Sequence, residues 1–205
     1  MNYSFKLLNH ETAYSGFHHI EIYDLKFNKF DGSESNVIRR ELSRRKSCVG
    51  LLPYDPQKNQ VVLVEQIRLG PLANNEHPWM LEVIAGIIED DESKENTVLR
   101  EASEEANCTV RNLIPILEYY TTPGGCSEKM SLYFGLTDVE KLGGIHGLST
   151  EDEDIKTHII NFDQTLDMIR NGQINNASTI IALQWLALNK KFLTFKSNNS
   201  FVRLI

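Results

Sequence analysis

The sequence has little cysteine. Its three residues, Cys48, Cys108 and Cys126, are far apart and odd in number. Neither a zinc spacing nor a disulfide framework emerges, and buried or incidental thiols in a reducing compartment are the expectation. Positive charge is also short. With 21 Lys and Arg against 28 Asp and Glu, the formal net charge is −7. That excludes a global basic field drawing the protein to nucleic acid or anionic lipid. A polyanionic ligand would need local help, from cations or a few placed arginines. No apolar run approaches the ~18 residues needed to span a bilayer. Residues 1–10 carry no charged-then-apolar signal pattern. A cytoplasmic protein with no membrane partner is the expectation. Internal repeats and low-complexity tracts are missing too.

What remains is ordinary globular material. The chain has 205 residues, 41% hydrophobic and 24% charged, enough for one domain with a small appendage. Residues 17–27 read as a strand, with Phe17, Ile20, Ile22, Leu25 and Phe27 set among polar residues. A turn follows with Asp31-Gly32 at its tip, then a second strand near 36–41. These first ~45 residues read as a small β appendage. Apolar runs at 48–54 and 61–67 flank a turn-rich hairpin connection over 53–59. A further strand is expected over 79–85, and a helix over 93–107 with Ser93 as its N-cap. Strands at 114–120 and 130–136 flank a Pro-Gly-Gly loop. Residues 143–154 read as a long Gly-rich, acidic loop. A strand at 156–162 and helices at 163–171 and 177–188 complete an α+β pattern.

The informative segment runs from Gly86 to Cys108. On a helix, successive residues lie ~100° apart, so Leu99, Ala102 and Ala106 form one apolar stripe. Glu101 and Glu105 lie four apart on one face bordering it, Glu104 lies further round, and Glu92 comes just before the helix. Like charges at this spacing cost ~0.2–0.5 kcal/mol per exposed pair, and more when desolvated. A hard divalent cation removes that cost, and Mg²⁺ suits carboxylates combined with substrate phosphates. The bland alternative is a solvated acidic helix face. Two neighbours weigh against it. Gly86 permits a close backbone approach, and Arg100 offers a fork of donors that orients carboxylates.

The full spacing is diagnostic. Gly86, Glu92, Arg100-Glu101-Ala102 and Glu104-Glu105 resemble the Nudix hydrolase signature G-x5-E-x7-R-E-U-x-E-E-x-G-U, with U apolar. One position departs: Asn107 stands where the family has Gly. Asn is the residue other than Gly that best tolerates positive φ, so the helix-ending role survives. The likeness extends outward. Thr122-Pro123-Gly124-Gly125-Cys126-Ser127-Glu128 is similar to a stretch of the bacterial ADP-ribose pyrophosphatase subfamily. Val64-Glu65-Gln66-Ile67-Arg68, Leu81-Glu82-Val83-Ile84-Ala85-Gly86 and Glu151-Asp152-Glu153-Asp154-Ile155 resemble that group too. Coverage runs from about 17 to 188.

The resemblance implies an αβα sandwich around a mixed β-sheet, with a small N-terminal β domain at 1–45 and the hydrolase domain at 46–205. It implies a homodimer with exchanged N-terminal domains. It implies Mg²⁺, with Mn²⁺ a substitute, held by the Ala85 carbonyl, Glu101, Glu105 and a carboxylate of the acidic loop, Glu153. Glu151 is then the general base. Glu104 orients or binds further metal, and Glu92 and Gly86 support the site together with Arg100. Chemistry alone leaves the choice among the carboxylates of 151–154 open. For a small-molecule substrate, Arg40 and Arg68 are candidates to grip phosphate or ribose oxygens bidentately, each with a surface ion pair as its bland alternative. Glu128 is a candidate for the ribose hydroxyls or adenine amino group, and Phe17 for stacking on adenine across the dimer. The implied activity is cleavage of ADP-ribose to AMP and ribose 5-phosphate. The alternatives are another sugar nucleotide, GDP-mannose or ADP-glucose, or a catalytically dead nucleotide-sugar sensor. All four box glutamates are present, and only 17 residues follow Leu188, which disfavours a sensor fused to a DNA-binding domain.

Overall fold

A computed structural model describes residues 3–195 and 201–203. The chain divides into two compact units, Met1–Ser47 with Tyr119–Lys129, and Cys48–Glu118 with Met130–Ile205.

The first unit is an antiparallel sheet of β1 (Phe5–Ser15), β2 (His19–Phe27) and β3 (Ile38–Arg44), in that order. The reversal between β1 and β2 is tight, with the Gly16 N–H donating to the His18 carbonyl at 3.0 Å. That turn lifts Phe17 out of the strand that its apolar neighbours predict and leaves it 85% exposed. β1 has no counterpart in the sequence reading. Every residue of it is exposed, so no buried face imposes an alternation. The turn at Asp31-Gly32 forms as expected: the Asp31 carboxylate accepts from the Ser33 N–H at 2.8 Å, and Gly32 sits at φ 86°. The Pro-Gly-Gly loop is laced to the end of β3. The Ser43 N–H donates to the Gly125 carbonyl at 2.8 Å, and the Ser127 N–H returns to the Ser43 carbonyl at 3.0 Å.

The second unit is built on a mixed sheet. Its members are β4 (Cys48–Asp55), β5 (Gln60–Ile67), β6 (Trp79–Glu82), β7 (Ile84–Ile87), β8 (Arg111–Tyr120), β9 (Lys129–Leu136), β10 (Gly144–His146) and β11 (Ile155–Asn161). The order is β10-β11-β5-β4-β9-β8. β4 runs antiparallel to β5 and parallel to β9. A short helix, α1 (Leu69–Ala73), precedes β6 and has no periodicity by which to find it. The segment 79–85 is not one strand but two. β6 pairs with β5 while β7 pairs with β4, so the chain changes partner at Val83. Within 143–154, expected to be all loop, β10 adds an edge strand beside β11.

The main helix, α2 (Lys94–Ala106), lies on one face of the sheet. There Val98, Ala102 and Ala106 pack with Val49, Leu51, Val62, Val64 and Ile84. On the other face lie α3 (Phe162–Arg170) and α4 (Ala177–Asn189), where Tyr54 and Phe134 meet Phe162 and Trp185. This is the α/β/α sandwich of the expected α+β class. Ser93 caps α2, its hydroxyl accepting from the Asn96 N–H at 3.2 Å. Asn107 ends it in the left-handed region, at φ 48°, where the Cys108 N–H reaches the Ala102 carbonyl at 2.8 Å. The buried stripe differs from the expected one. Leu99 is 43% exposed, whereas Val98, Ala102, Glu105 and Ala106 are buried. The sheet lies one position round the helix from where the apolar spacing alone puts it, and Glu105 faces inward as a result.

Candidate functional site

Glu105 is a carboxylate inside the core stripe, 4% exposed. One oxygen accepts the Ala85 N–H at 3.0 Å, and the other lies 3.4 Å from Gln66 Nε2. Burial pushes its pKa up to about 8, against the opposing pull of the Ala85 N–H. Four residues back, Glu101 is pushed up to about 7, again by burial first, with the Arg100 guanidinium opposing. Each also feels the other's helix face: the charge of Glu101 raises Glu105, and that of Glu104 raises Glu101.

Gly86 explains how Glu101 lies so close to β7. A Cβ at position 86 would stand 1.7 Å from Glu101 Oε1. The requirement here is for empty space rather than for an unusual backbone angle.

Arg100 is the hub of the cluster. Its Nε and Nη2 both donate to Glu92 at 3.1 Å, and Nη1 donates to Glu101 at 2.8 Å and Glu104 at 2.9 Å. Thr97 Oγ1 adds a hydrogen bond to Glu92 at 2.8 Å. The guanidinium holds Glu92 below the ordinary carboxylate range. One planar fork thus fixes the rotamers of three carboxylates from the loop and the helix.

The acidic loop reaches the same place. The Gly147 N–H donates to the Glu104 carbonyl at 3.3 Å, and a Cβ on Gly147, whose φ is 108°, would strike Glu153. Glu153 accepts the Leu148 N–H at 3.1 Å. Its charge raises the pKa of both Glu101 and Glu105. Glu151 ends a short 3₁₀ turn, Ser149–Glu151, and its side chain lies outside the described residues. Between β5 and α1, Arg68 exerts its charge on Glu105 while its Nε is paired with Glu82 at 2.7 Å.

The remaining candidates lie in the first unit. Phe17 is at the β1–β2 turn with its ring edge-on to His18 at 5.0 Å. Arg40, on β3, donates to the Arg39 carbonyl at 2.8 Å and is exposed. Glu128 is ion-paired with Arg45 at 3.2 Å.

A divalent cation fits the donor chemistry of this cluster. All its acidic donors are carboxylate oxygens, and desolvation raises the pKa of both the partly buried Glu101 and the buried Glu105, a cost that a hard cation bound between them would relieve. Among the described residues no three His, Cys, Asp or Glu side chains converge in ligating geometry, and Arg100 holds an oxygen of Glu101 and one of Glu104. Sequence reasoning missed three supporting residues: Gln66, Glu82 and Gly147. Gln66 was findable, since it continues the Val62, Val64 alternation onto the face of α2.

Comparison with known proteins follows the same outline. A NUDIX domain matches residues 44–183. The chain is 41% identical over 188 residues to an ADP-ribose pyrophosphatase of Escherichia coli strain K12, covering 92% of this chain and 90% of that protein. It is 39% identical over 187 residues to an ADP-ribose pyrophosphatase of Haemophilus influenzae, covering 90% and 86%. A crystal structure of an ADP compounds hydrolase shares the fold, with a TM-score of 0.68 at 20% identity over 91% of this chain and 94% of that one.

Proposed function

Since this chain belongs to the Nudix hydrolase family, we propose that it hydrolyses the diphosphate bridge of ADP-ribose to AMP and ribose 5-phosphate, with Mg²⁺ or Mn²⁺ as cofactor. The observation that carries the reading is the pair Glu101 and Glu105 on one face of α2, with Glu101 lying against Gly86 and held by Arg100. The extent of identity to the two ADP-ribose pyrophosphatases directs the choice of substrate.

In this reading Glu101, Glu105, Glu153 and the Ala85 carbonyl hold the cation. When bound, it neutralises the diphosphate and polarises the attacking water. Glu151 takes the proton of that water as oxygen attacks one phosphorus and the bridging P–O bond breaks. Glu104 and Arg100 keep the helix carboxylates in register, with Glu92 anchoring Arg100. Arg68 and Arg40 take phosphate or ribose oxygens, Glu128 the ribose hydroxyls or adenine amino group, and Phe17 the adenine face. Residues 1–45 serve as the exchanged dimerisation part of a homodimer, and 46–205 as the hydrolase. Apolar exposure on the first unit supports this, with Phe5 74%, Tyr14 60% and Phe17 85% accessible. Among the described residues no helix is long and apolar enough to cross a membrane. The proposed compartment is the cytoplasm.

The test is a kcat/KM panel with Mg²⁺ on ADP-ribose, GDP-mannose, ADP-glucose and a nucleoside triphosphate, with products identified. ADP-ribose is expected to lead by roughly tenfold or more, a difference of about 1.4 kcal/mol in transition-state binding. A lead by GDP-mannose would keep the metal chemistry and replace the substrate.

Gly86→Ala tests the close approach of Glu101. The added methyl must push the carboxylate off its position, so kcat/KM should fall by about tenfold or more, while the circular dichroism spectrum is unchanged. Full activity in that variant would mean that Glu101 is not needed where it lies.

A further inference from the structure

A second cavity lies on the sheet face away from α2. It encloses about 410 Å³ between β5, β6, β11 and the end of α3, within the range of small-molecule sites, ~300–1,000 Å³. Strand alternation separates it from the carboxylate cluster. On β5, Val62 and Val64 pack under α2 and Gln66 meets Glu105, so Glu65 points to the opposite face. On β11, Ile155 and Thr157 face α2, so His158 and Ile160 line the cavity.

The lining has a definite chemistry. One wall is apolar, made by Trp79, Leu81, Ile160 and Met168. Glu65 and Glu76 supply two carboxylates, and neither Lys nor Arg lines the cavity. His158 Nε2 holds one oxygen of Glu65 at 2.8 Å, which fixes the carboxylate. The other oxygen of Glu65 has no side-chain partner among the described residues. Lys156 stands opposite Glu65 in the ladder, yet it is exposed and makes no ion pair with it among the described residues.

We propose that this cavity is a second binding site, for a small planar organic cation. Its flat body packs against Trp79, Leu81 and Met168, and its N–H groups donate to the free oxygen of Glu65. Three features select that class. Glu65 and Glu76 face no Lys or Arg in the lining, and of its two imidazoles, His77 and His158, the latter is committed to Glu65, so phosphates and carboxylates are disfavoured. Trp79 and the Met168 thioether favour a polarizable or cationic body. A carboxylate oriented by His158 presents its second oxygen to a charged N–H donor such as an amidinium. The site is separate from the proposed hydrolytic centre and does not depend on that reading.

The test uses three ring-matched probes, benzamidine, benzamide and benzoate, which differ in charge. Trp79 reports binding by fluorescence in the full-length Trp185→Phe protein. Benzamidine should bind saturably and at least about tenfold more tightly than benzamide, with benzoate weaker still. Glu65→Gln should weaken benzamidine by a similar factor and leave hydrolytic activity in place. Equal affinity for benzamidine and benzamide would overturn the proposal, as would the absence of saturation or unchanged affinity in Glu65→Gln. Should Trp185→Phe fail to fold, isothermal titration of the unaltered protein and of Glu65→Gln with the same three probes decides by the same criteria.

Discussion

Replacing Glu105 by Gln should lower kcat on ADP-ribose by roughly 10³-fold, about 4 kcal/mol of transition-state stabilisation at ~1.4 kcal/mol per decade. The fold should survive, because Gln still accepts the Ala85 N–H that Glu105 now takes at 3.0 Å. The metal-free protein should even gain stability at neutral pH and above. Glu105 is held near pKa 8 when folded, against the ordinary 4.5. Between those values the folded chain keeps a proton that the unfolded chain has lost. Stability contributed by the neutral carboxyl is therefore complete below about pH 4.5 and declines as pH rises through about 8. Glu101 adds a decline of the same sign, ending near pH 7. Thermal unfolding without metal should show Tm falling from acid toward pH 8, with a shallower fall in Glu105→Gln. Adding Mg²⁺ should raise Tm in the parent far more than in the variant. Unchanged turnover in Glu105→Gln would remove the metal assignment, and an identical pH slope in both proteins would remove the burial argument.

Arg100→Ala is expected to have the largest effect on stability. Three carboxylates lose their common partner at once: Glu92, Glu101 and Glu104. Breaking a fully buried pair costs about 3–5 kcal/mol. Arg100 is 34% exposed, so solvent screening brings the expected loss to about 2–3 kcal/mol. Urea unfolding measures it directly. Saturating Mg²⁺ should restore part of the loss, because a cation among Glu101, Glu105 and Glu153 relieves the same repulsion. Arg100→Lys should recover charge balance without the fork, so stability should return further than kcat does. A loss below about 0.5 kcal/mol in Arg100→Ala, the range of an ordinary surface substitution, would show that the four hydrogen bonds carry no net stabilisation.

Much of the local structure of the candidate site was legible because its logic is local. Ser93 as cap, Asn107 as terminator and Glu101 with Glu105 on one face follow from hydrogen bonding and a 3.6-residue period within fourteen or so positions. The turn at Asp31-Gly32 is equally local, set by a side chain bonding two residues ahead. The split of 79–85 was illegible because it depends on which strands lie beside it: β5 takes 79–82 and β4 takes 84–87. β1 escaped because a strand with no buried face leaves no alternation to read.

The sequence by itself determined the chemistry of the proposed metal site: carboxylate type, spacing and the neighbouring glycine all precede any fold. Only the tertiary structure decided which carboxylate is buried. Leu99 and Glu105 flank the Ala102, Ala106 stripe on opposite sides, roughly 120° apart on the helical wheel, and choosing between them required the sheet. Strands β4, β5 and β7, brought together from distant parts of the chain, cover the Val98, Ala102 and Ala106 side and take Glu105 with it. Desolvation is a property of that enclosure rather than of the residue, and it is what sets the protonation of the site.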